Sequence, residues 1–411
     1  MRLNTLRTVV LALSLGFCGT SLAQKDEVLL KAAEARKAGV VADLEKLVNI
    51  DSGTGDKEGL ARIEAILVAR LKALGAEVQL IPSDPPVVGN IIVGTLKGKG
   101  AKKAMLMVHY DTVFAPGDAA KRPFRIEGSK ARGPGVADAK PGLLFILNSL
   151  EMLKERGFDR YATITVTFNA DEEKSSLGSR AAIKRLAADQ DLVLSYEPPE
   201  MEQVIISTNG IAYVHVDVKG VASHAGSAPE KGRNAAIEMA HQLLQLKDLG
   251  DPVKGTTVNW TVLQSGDRIN VIPDKASAKA DMRLSVLSEL ERVQQDANRI
   301  IRKKLIAETE VTVRVEDRRP PFSKNANTDA LANVAKTIYQ DLGKTLEPVA
   351  MRFGTDAGFA YNPANSKQTV MDGMGIVGDK LHSPDEWADL DSIVPRLYLT
   401  VKLLESVLSG Q

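Results

Sequence analysis

The feature that most constrains the fold is the alternation of short apolar segments with helical patterns between residues 90 and 197. Strand-like segments and helical patterns follow one another at Asn90–Leu96, Ala104–Val113, about Pro141 to Arg156, Ala162–Asn169, Ser179–Ala188 and Leu192–Glu197. Strands that alternate with helices are joined by crossovers, which place the strands parallel and the helices on both faces of the sheet. The sequence therefore predicts an α/β protein with a mixed, mostly parallel sheet flanked by helices.

The pattern changes after Asn209-Gly210. The next elements read as strand, helix, strand, strand, helix and strand, at Ile211–Lys219, Asn234–Leu246, Thr256–Gln264, Ala276–Leu284, Ser288–Leu305 and Glu310–Glu316. This is the order of a split βαβ sandwich, and about 110 residues suffice for a small domain. We therefore predict a catalytic domain formed by residues 24–209 and 322–411, with an inserted α+β domain at residues 210–321.

Residues 1–23 have the pattern of a signal peptide. Two arginines precede the apolar run Val9–Phe17, and Ser21-Leu-Ala23 fits a small-x-small cleavage site. The protein is therefore expected to be exported, to the periplasm or the medium. Because the single cysteine, Cys18, lies in this segment, any metal in the rest of the chain must be held by His, Asp or Glu.

Charge and hydropathy exclude two kinds of partner. The chain has 53 Lys+Arg against 52 Asp+Glu, without a long basic run, so it has no electrostatic footprint for nucleic acid. No later apolar run reaches the ~18 residues of a membrane helix. We expect a small-molecule or short-peptide substrate.

Three of the five histidines stand in polar, turn-like contexts, namely His109, His224 and His382. The other two, His215 in an alternating strand and His241 within a helix, are predicted to face solvent. His109 directly follows an apolar run and so ends a buried strand. A histidine at the end of a buried strand is well placed for a ligand site.

Acidic residues accompany these histidines. Asp111 projects to the same side of the chain as His109 and can accept its second imidazole N–H. On this motif alone, a plain buried His–Asp pair explains the residues equally well. Asp138 lies in a Gly- and Pro-rich turn before a helix, where a helix N-cap is the alternative interpretation.

Further carboxylates follow two apolar strands. Glu172 and Glu173 lie side by side and project differently, so one can bind a metal while the other carries protons; a solvated loop is the alternative. Glu197 closes a buried strand and needs a partner. Two histidines and three carboxylates suit two zinc ions that share one carboxylate. Such ions lower the pKa of a water towards ~7 and polarise a carbonyl, which predicts amide or ester hydrolysis.

Taken in order, these motifs resemble the zinc aminoacylase/carboxypeptidase family with co-catalytic metals. The matching segments are His109–Asp111, Gly135–Gly142, Asp171–Glu173, Glu197-Pro, Ser223–Gly226 and His382-Ser. The resemblance covers almost the whole chain after residue 23. Through Asp171–Lys174, Ser207–Val214 and Ser223–Glu230 it extends to the secreted bacterial glutamate carboxypeptidases that hydrolyse folates.

The resemblance implies a full catalytic centre with two zinc ions per subunit. One ion would be held by His109 and Glu197, the other by Glu173 and His382, with Asp138 bridging them. Glu172 would be the general base and Asp111 would orient His109. It also implies that the peptide bond Asp138–Ala139 is cis.

The resemblance further implies that the inserted domain acts as a lid and forms a homodimer. His224 would then reach the other subunit's site and stabilise the oxyanion. Arg283 would clamp a free substrate carboxylate, although a surface cation is the alternative. The remaining substrate-binding candidates are Asn270, Gly354, Thr355 and, more weakly matched, Arg319.

The leading hypothesis is an exported, dimeric, two-zinc exopeptidase that releases a C-terminal amino acid, foremost glutamate, from folate-like, N-acyl or peptidyl substrates. Within the same chemistry, the alternatives are an aminoacylase, a dipeptidase or a desuccinylase. A periplasmic binding protein that keeps the metals without turnover belongs to a different class. A purely structural role for these residues would predict no stoichiometric metal.

Overall fold

The computed structural model describes residues 25–409, so the predicted signal peptide lies outside the described residues. Residues 25–209 contain five α-helices and eight strands. The helices are α1 (Glu27–Val48), α2 (Lys57–Leu74), α3 (Asp118–Lys121), α4 (Lys140–Glu155) and α5 (Arg180–Ala187). The strands are β1 (Glu77–Pro82), β2 (Asn90–Lys97), β3 (Lys103–His109), β4 (Arg125–Glu127), β5 (Lys130–Arg132), β6 (Thr163–Asn169), β7 (Leu192–Ser195) and β8 (Gln203–Thr208).

The middle segment follows without a break. Its elements are β9 (Gly210–Lys219), β10 (Ser223–His224), α6 (Ala235–Leu246), β11 (Thr257–Ser265), β12 (Val271–Ile272), β13 (Lys275–Leu284), α7 (Ser288–Ile300) and β14 (Glu310–Arg319). The last segment contains α8 (Ala326–Asp341), β15 (Glu347–Met351), α9 (Ala357–Ala360), β16 (Thr369–Met371), β17 (Gly378–Asp379), β18 (Trp387–Asp389) and α10 (Ile393–Leu408).

The central sheet has the order β1-β2-β6-β3-β7-β16. The pairs β6–β3, β3–β7 and β7–β16 are parallel, whereas β1 and β2 join the sheet antiparallel. The predicted mixed, mostly parallel sheet is therefore confirmed. Helices α1, α2, α4, α8 and α10 supply much of the large core, because their buried faces carry most of its aliphatic side chains.

The parallel register brings the carboxyl ends of three strands together. His109 at the end of β3 is paired with Asn169 at the end of β6, and Met107 is paired with Ser195 of β7. The residues that follow these strands must therefore meet at one edge of the sheet. This edge holds the acidic and histidine motifs that the sequence singled out.

The middle segment forms a four-stranded antiparallel sheet in the order β11-β13-β9-β14. Alternate residues of β9 and β13 pack against α6 and α7 and form a core of their own. The short pair β10–β12 adds a ribbon that carries His224. The β-α-β-β-α-β order is therefore present, while the domain boundaries at residues 210 and 321 stay a prediction.

Three local predictions were wrong. Strand β3 ends at His109 rather than at Val113. Helix α7 ends at Ile300 rather than Leu305, because the buried Glu238 carboxylate accepts the backbone N–H groups of Leu305 and Ile306. His215 does not face solvent: its side chain is 9% exposed and lies 2.9 Å from the Glu316 carboxylate. Among residues 25–409, no helix is both long and apolar enough to cross a bilayer.

Candidate metal centre

Asp138 is the centre of the candidate site. It lies in the turn that leads into α4, and its two carboxylate oxygens face different histidines. Its Oδ1 is 3.1 Å from Nε2 of His109, and its Oδ2 is 3.1 Å from Nε2 of His382. Because the two oxygens serve different histidines, Asp138 has the geometry of a bridge between two ligand groups.

Each histidine also faces a second carboxylate. Oε2 of Glu197 is 3.6 Å from Nε2 of His109, and Oε2 of Glu173 is 3.1 Å from Nε2 of His382. Two donors of one tetrahedral zinc ion with bonds of about 2.1 Å stand roughly 3.4 Å apart. The observed separations therefore fit donors of two divalent ions, and the five residues predicted as ligands lie together as two groups that share Asp138.

The electrostatics of the cluster favour added positive charge. Burial raises the pKa of Glu173 to about 7 and raises that of Glu197 well above its usual range. Hydrogen bonds to Asp138 and Glu173 raise the pKa of His382 to about 11. Oε1 of Glu173 is buried without a hydrogen-bond partner among the described residues. A buried carboxylate oxygen with no partner is a free ligand position for a cation.

Asp111 lies behind His109 and connects it to the neighbouring turn. Nδ1 of His109 is 3.0 Å from the backbone oxygen of Asp111 and 3.3 Å from its carboxylate. The carboxylate also accepts the backbone N–H groups of Glu172 and Glu173 and the hydroxyl of Thr54. Asp111 therefore fixes both the imidazole and the acidic turn.

Glu172, the predicted general base, is held by Arg319. The Arg319 guanidinium donates to both the side chain and the backbone oxygen of Glu172 and lies 3.6 Å from the Asp356 carboxylate. Asp356 in turn accepts from Asn169 at 2.7 Å and from Ser176. Burial raises the pKa of Asp356 to about 7. Arg319 thus lies directly against Glu172, and its contact with substrate stays a prediction.

The other predicted substrate residues occupy different positions. Arg283 forms a two-point ion pair with Asp281, at 2.8 and 3.0 Å. His224 is exposed, and its Nδ1 accepts the backbone N–H groups of Gly226 and Ser227, while the backbone oxygen of Asn270 accepts from Ala225. Within residues 25–409, no hydrogen bond joins Arg283, Asn270 or His224 to the metal cluster.

Gly354 and Thr355 lie next to Arg319. The backbone oxygen of Gly354 accepts from Arg319 at 3.4 Å. Thr355 is buried, and its hydroxyl donates to Asp372 at 2.6 Å. Because Asp372 also accepts the backbone N–H of Glu197, Thr355 supports a predicted ligand indirectly. The roles of all these residues stay predictions.

Sequence reasoning missed the residues that hold the Asp138 turn. Glu386 is buried and accepts the backbone N–H groups of Gly135, Ala137 and Asp138. Lys140 is also buried and donates to the backbone oxygens of Ile50 and Pro134. Its burial lowers its pKa to about 8. The peptide bond Asp138–Ala139 is cis, as the resemblance implies. The only signal for Glu386 was its position four residues after His382.

This fold and this cluster define the class of the protein. Residues 105–406 match the profile of peptidase family M20/M25/M40, and the chain belongs to this family. It is a metallo-carboxypeptidase-type hydrolase, as the resemblance predicted.

One curated relative is similar over its whole length. The chain is 42% identical to Carboxypeptidase G2 of Pseudomonas sp. (strain RS-16) over 419 aligned positions that cover 100% of both chains. Among solved structures, the aminopeptidase PepT of Bacillus cereus ATCC 10987 matches with a TM-score of 0.76 at 22% identity, covering 90% of this chain and 98% of the other. A dinuclear metal-binding M20 peptidase of Bacillus subtilis matches with a TM-score of 0.65 at 14% identity, covering 92% and 99%. The two structures support the fold.

Proposed function

We propose that the protein is an exported two-zinc carboxypeptidase that releases a C-terminal amino acid, foremost glutamate, by hydrolysing an amide bond. The observation that carries the proposal is the position of Asp138 between two pairs of candidate ligands, His109 with Glu197 and Glu173 with His382. The candidate base, Glu172, directly precedes Glu173 in the sequence. The similarity to Carboxypeptidase G2 supports carboxypeptidase chemistry. Export rests on the signal-peptide pattern of residues 1–23.

The ligand assignment follows the two groups. His109 and Glu197, which lie 3.6 Å apart, would hold one ion, and Glu173 and His382, which lie 3.1 Å apart, would hold the other. Asp138, within 3.1 Å of both histidines, would be the shared ligand. When bound, two zinc ions lower the pKa of a water and polarise the scissile carbonyl. Asp111 keeps His109 in one orientation, and Glu386 keeps Asp138 in place through its backbone.

Glu172 moves the proton. It takes a proton from the attacking water and gives it to the leaving amine, so that the C–N bond breaks and a free amino acid leaves. Arg319 holds the Glu172 side chain through a charged hydrogen bond. This contact fixes the position of the carboxylate, which a general base requires.

Substrate recognition is proposed to use cations and the inserted segment. Arg283 is the main candidate for the free carboxylate of the substrate and Arg319 is the weaker one. Asn270, Gly354 and Thr355 are the remaining candidates for substrate contacts. Since Arg283 is already paired with Asp281, a substrate carboxylate has to exchange with that contact. His224 is proposed to stabilise the oxyanion in the site of a second subunit.

Homodimerisation is supported by the edge of the middle sheet. Strand β11 is an edge strand of this sheet, and it carries the exposed apolar residues Val262 and Leu263, at 41% and 60% exposure. Unpaired edge strands with apolar side chains are sites of strand pairing between chains. Sedimentation velocity should give a dimer for the natural chain and a monomer for Leu263→Lys.

The decisive experiment measures released products. The zinc-loaded protein is incubated with folates, dipeptides and N-acyl amino acids, and the products are identified by mass spectrometry. We expect glutamate to be released ahead of other residues, with loss of activity on chelation. Release of another amino acid would keep the mechanism and change the specificity to that of an aminoacylase, dipeptidase or desuccinylase.

Glu172→Gln is the matched test of the mechanism. We expect turnover to fall by about 10²–10⁴-fold, the usual contribution of a general base, while both metal ions stay bound. Normal activity in this variant would refute the assignment of the base. Tight ligand binding without product in the natural chain would favour the periplasmic binding protein instead.

A further inference from the structure

A cleft of about 810 Å³ lies where the middle segment joins the rest of the chain. Its walls come from both sides of this junction and include Arg180, Lys184, Val286, Leu287, Phe359 and Tyr361. Its volume is in the range of sites that take small molecules, and such sites occur preferentially between domains. None of the predicted metal ligands or substrate residues lines it, so the cleft is separate from the metal centre.

The lining combines apolar surface with a net positive charge. Val286 and Leu287 are each 45% exposed, although they are aliphatic. Arg180, Lys184 and Asp317 are the charged residues of the lining, which gives a formal charge of +1. Burial raises the pKa of Asp317, and the charges of Arg180 and Lys184 offset only part of this rise. A ligand with an apolar body and one negative charge therefore complements the cleft.

The position of the cleft connects it to the catalytic motifs. The chain crosses between the two sheets at Thr208–Gly210 and Arg319–Phe322, where Thr208 and Phe322 exchange backbone hydrogen bonds of 2.9 and 3.2 Å. Pro320 lines the cleft, while its neighbour Arg319 contacts Glu172. Gly358 lines the cleft as well, and a Cβ at Gly358 would lie 2.1 Å from the Pro320 carbonyl oxygen. The cleft wall is thus packed tightly against the crossing strand.

We propose that this cleft is a second ligand site, which binds a small amphipathic carboxylate between the two sheets. The carboxylate lies at Arg180 and Lys184, and the apolar body lies between Val286, Leu287 and the aromatic rings of Phe359 and Tyr361. Such a ligand contacts residues on both sides of the crossing strands. This inference concerns binding alone and does not depend on the proposed catalytic activity.

The test uses 2-naphthoate as the probe and isothermal titration calorimetry as the measurement. 2-Naphthalenemethanol has the same rings without the charge and serves as the ligand control. The double variant Arg180→Ala/Lys184→Ala removes the two cations, and Ala181→Trp fills the cleft from the exposed side of α5. Arg185→Ala is the matched protein control, since Arg185 lies on the same helix but does not line the cleft.

We expect 2-naphthoate to bind the natural chain and Arg185→Ala equally, within twofold. The double variant should bind at least tenfold more weakly, and Ala181→Trp should not bind; 2-naphthalenemethanol should bind at least tenfold more weakly than 2-naphthoate. Circular dichroism checks that the variants are folded. Absence of binding to the natural chain would overturn the proposal. Binding that survives in both cleft variants would also overturn it, because the probe would then occupy another site, such as the metal centre.

Discussion

Glu386→Gln tests whether the bridging carboxylate depends on a residue that binds no metal itself. Oε1 of Glu386 accepts the N–H groups of Ala137 and Asp138 at 2.8 and 3.0 Å, and Oε2 accepts that of Gly135 at 3.1 Å. Glutamine has the same shape but offers one oxygen and an NH₂ group. The glutamine oxygen therefore keeps the two contacts of Oε1 as weaker, uncharged hydrogen bonds. At the third contact, the glutamine NH₂ group and the Gly135 N–H are both donors and face each other without an acceptor.

The magnitude follows from these three contacts. A hydrogen bond to a charged group contributes about 1.5–3 kcal/mol and a neutral one about 0.5–1.5 kcal/mol. Losing one charged contact and weakening two should lower the free energy of unfolding by about 3.5–6 kcal/mol. Loss of a residue that orients a ligand typically weakens metal binding by about 10–100-fold. We expect both effects in this variant.

The assay is urea unfolding of the metal-free protein, together with zinc affinity measured by competition with a chelator. Asp385→Asn is the matched control. Asp385 is the exposed neighbour of Glu386, and its substitution removes the same charge. Equal unfolding midpoints and equal zinc affinities in the two variants would refute the reasoning. Lower stability with unchanged zinc affinity would show that Glu386 supports the fold but does not position Asp138.

Three further predictions concern the base, the core and the metal. Arg319→Lys should lower kcat/KM by about 10²-fold with the zinc content unchanged, because lysine cannot hold the side-chain oxygen and the backbone oxygen of Glu172 together as the guanidinium does. Steady-state kinetics and metal analysis check this, and unchanged kinetics would contradict it. Gly142→Ala should destabilise the protein by about 1–3 kcal/mol, since its Cβ would lie 2.8 Å from the Tyr196 carbonyl oxygen. Gly39→Ala, in open space on α1, is its control and should be neutral or slightly stabilising in urea unfolding. Chelation should lower the thermal midpoint, because an ion at 100 times its Kd stabilises the folded state by about 2.7 kcal/mol; equal midpoints with and without zinc would argue against a bound metal.

The fold class and the identity of the candidate ligands could be predicted from local sequence. Apolar runs such as Ala104–Val108 define buried strands, and helical spacing defines α4 and α10. Parallel strands between helices place their carboxyl ends at one edge, so the sequence alone predicts that His109 and Glu197 lie near each other. The short strands β1, β4, β5, β8, β10, β12 and β15–β18 were missed, because two to six residues carry too little periodicity to distinguish a strand from a loop.

His215 illustrates a second limit of prediction from local sequence. Alternation in β9 indicates two faces, and His215 lies on the face opposite the core of the middle sheet. Local sequence cannot tell whether such a face is solvated. Glu316 on the neighbouring strand β14 contacts the imidazole and contributes to its burial, and this neighbour is set by strand order.

The sequence by itself determined which residue types the site can use: with no thiol after residue 23, only histidines and carboxylates were available as strong metal ligands. Only the tertiary structure decided how these residues are held. Arg319 holds Glu172 from 147 positions away, and Glu386 holds the Asp138 turn from 248 positions away. The physical reason is that local pattern reports periodicity within one element, whereas these hydrogen bonds depend on the packing of elements that only folding brings together.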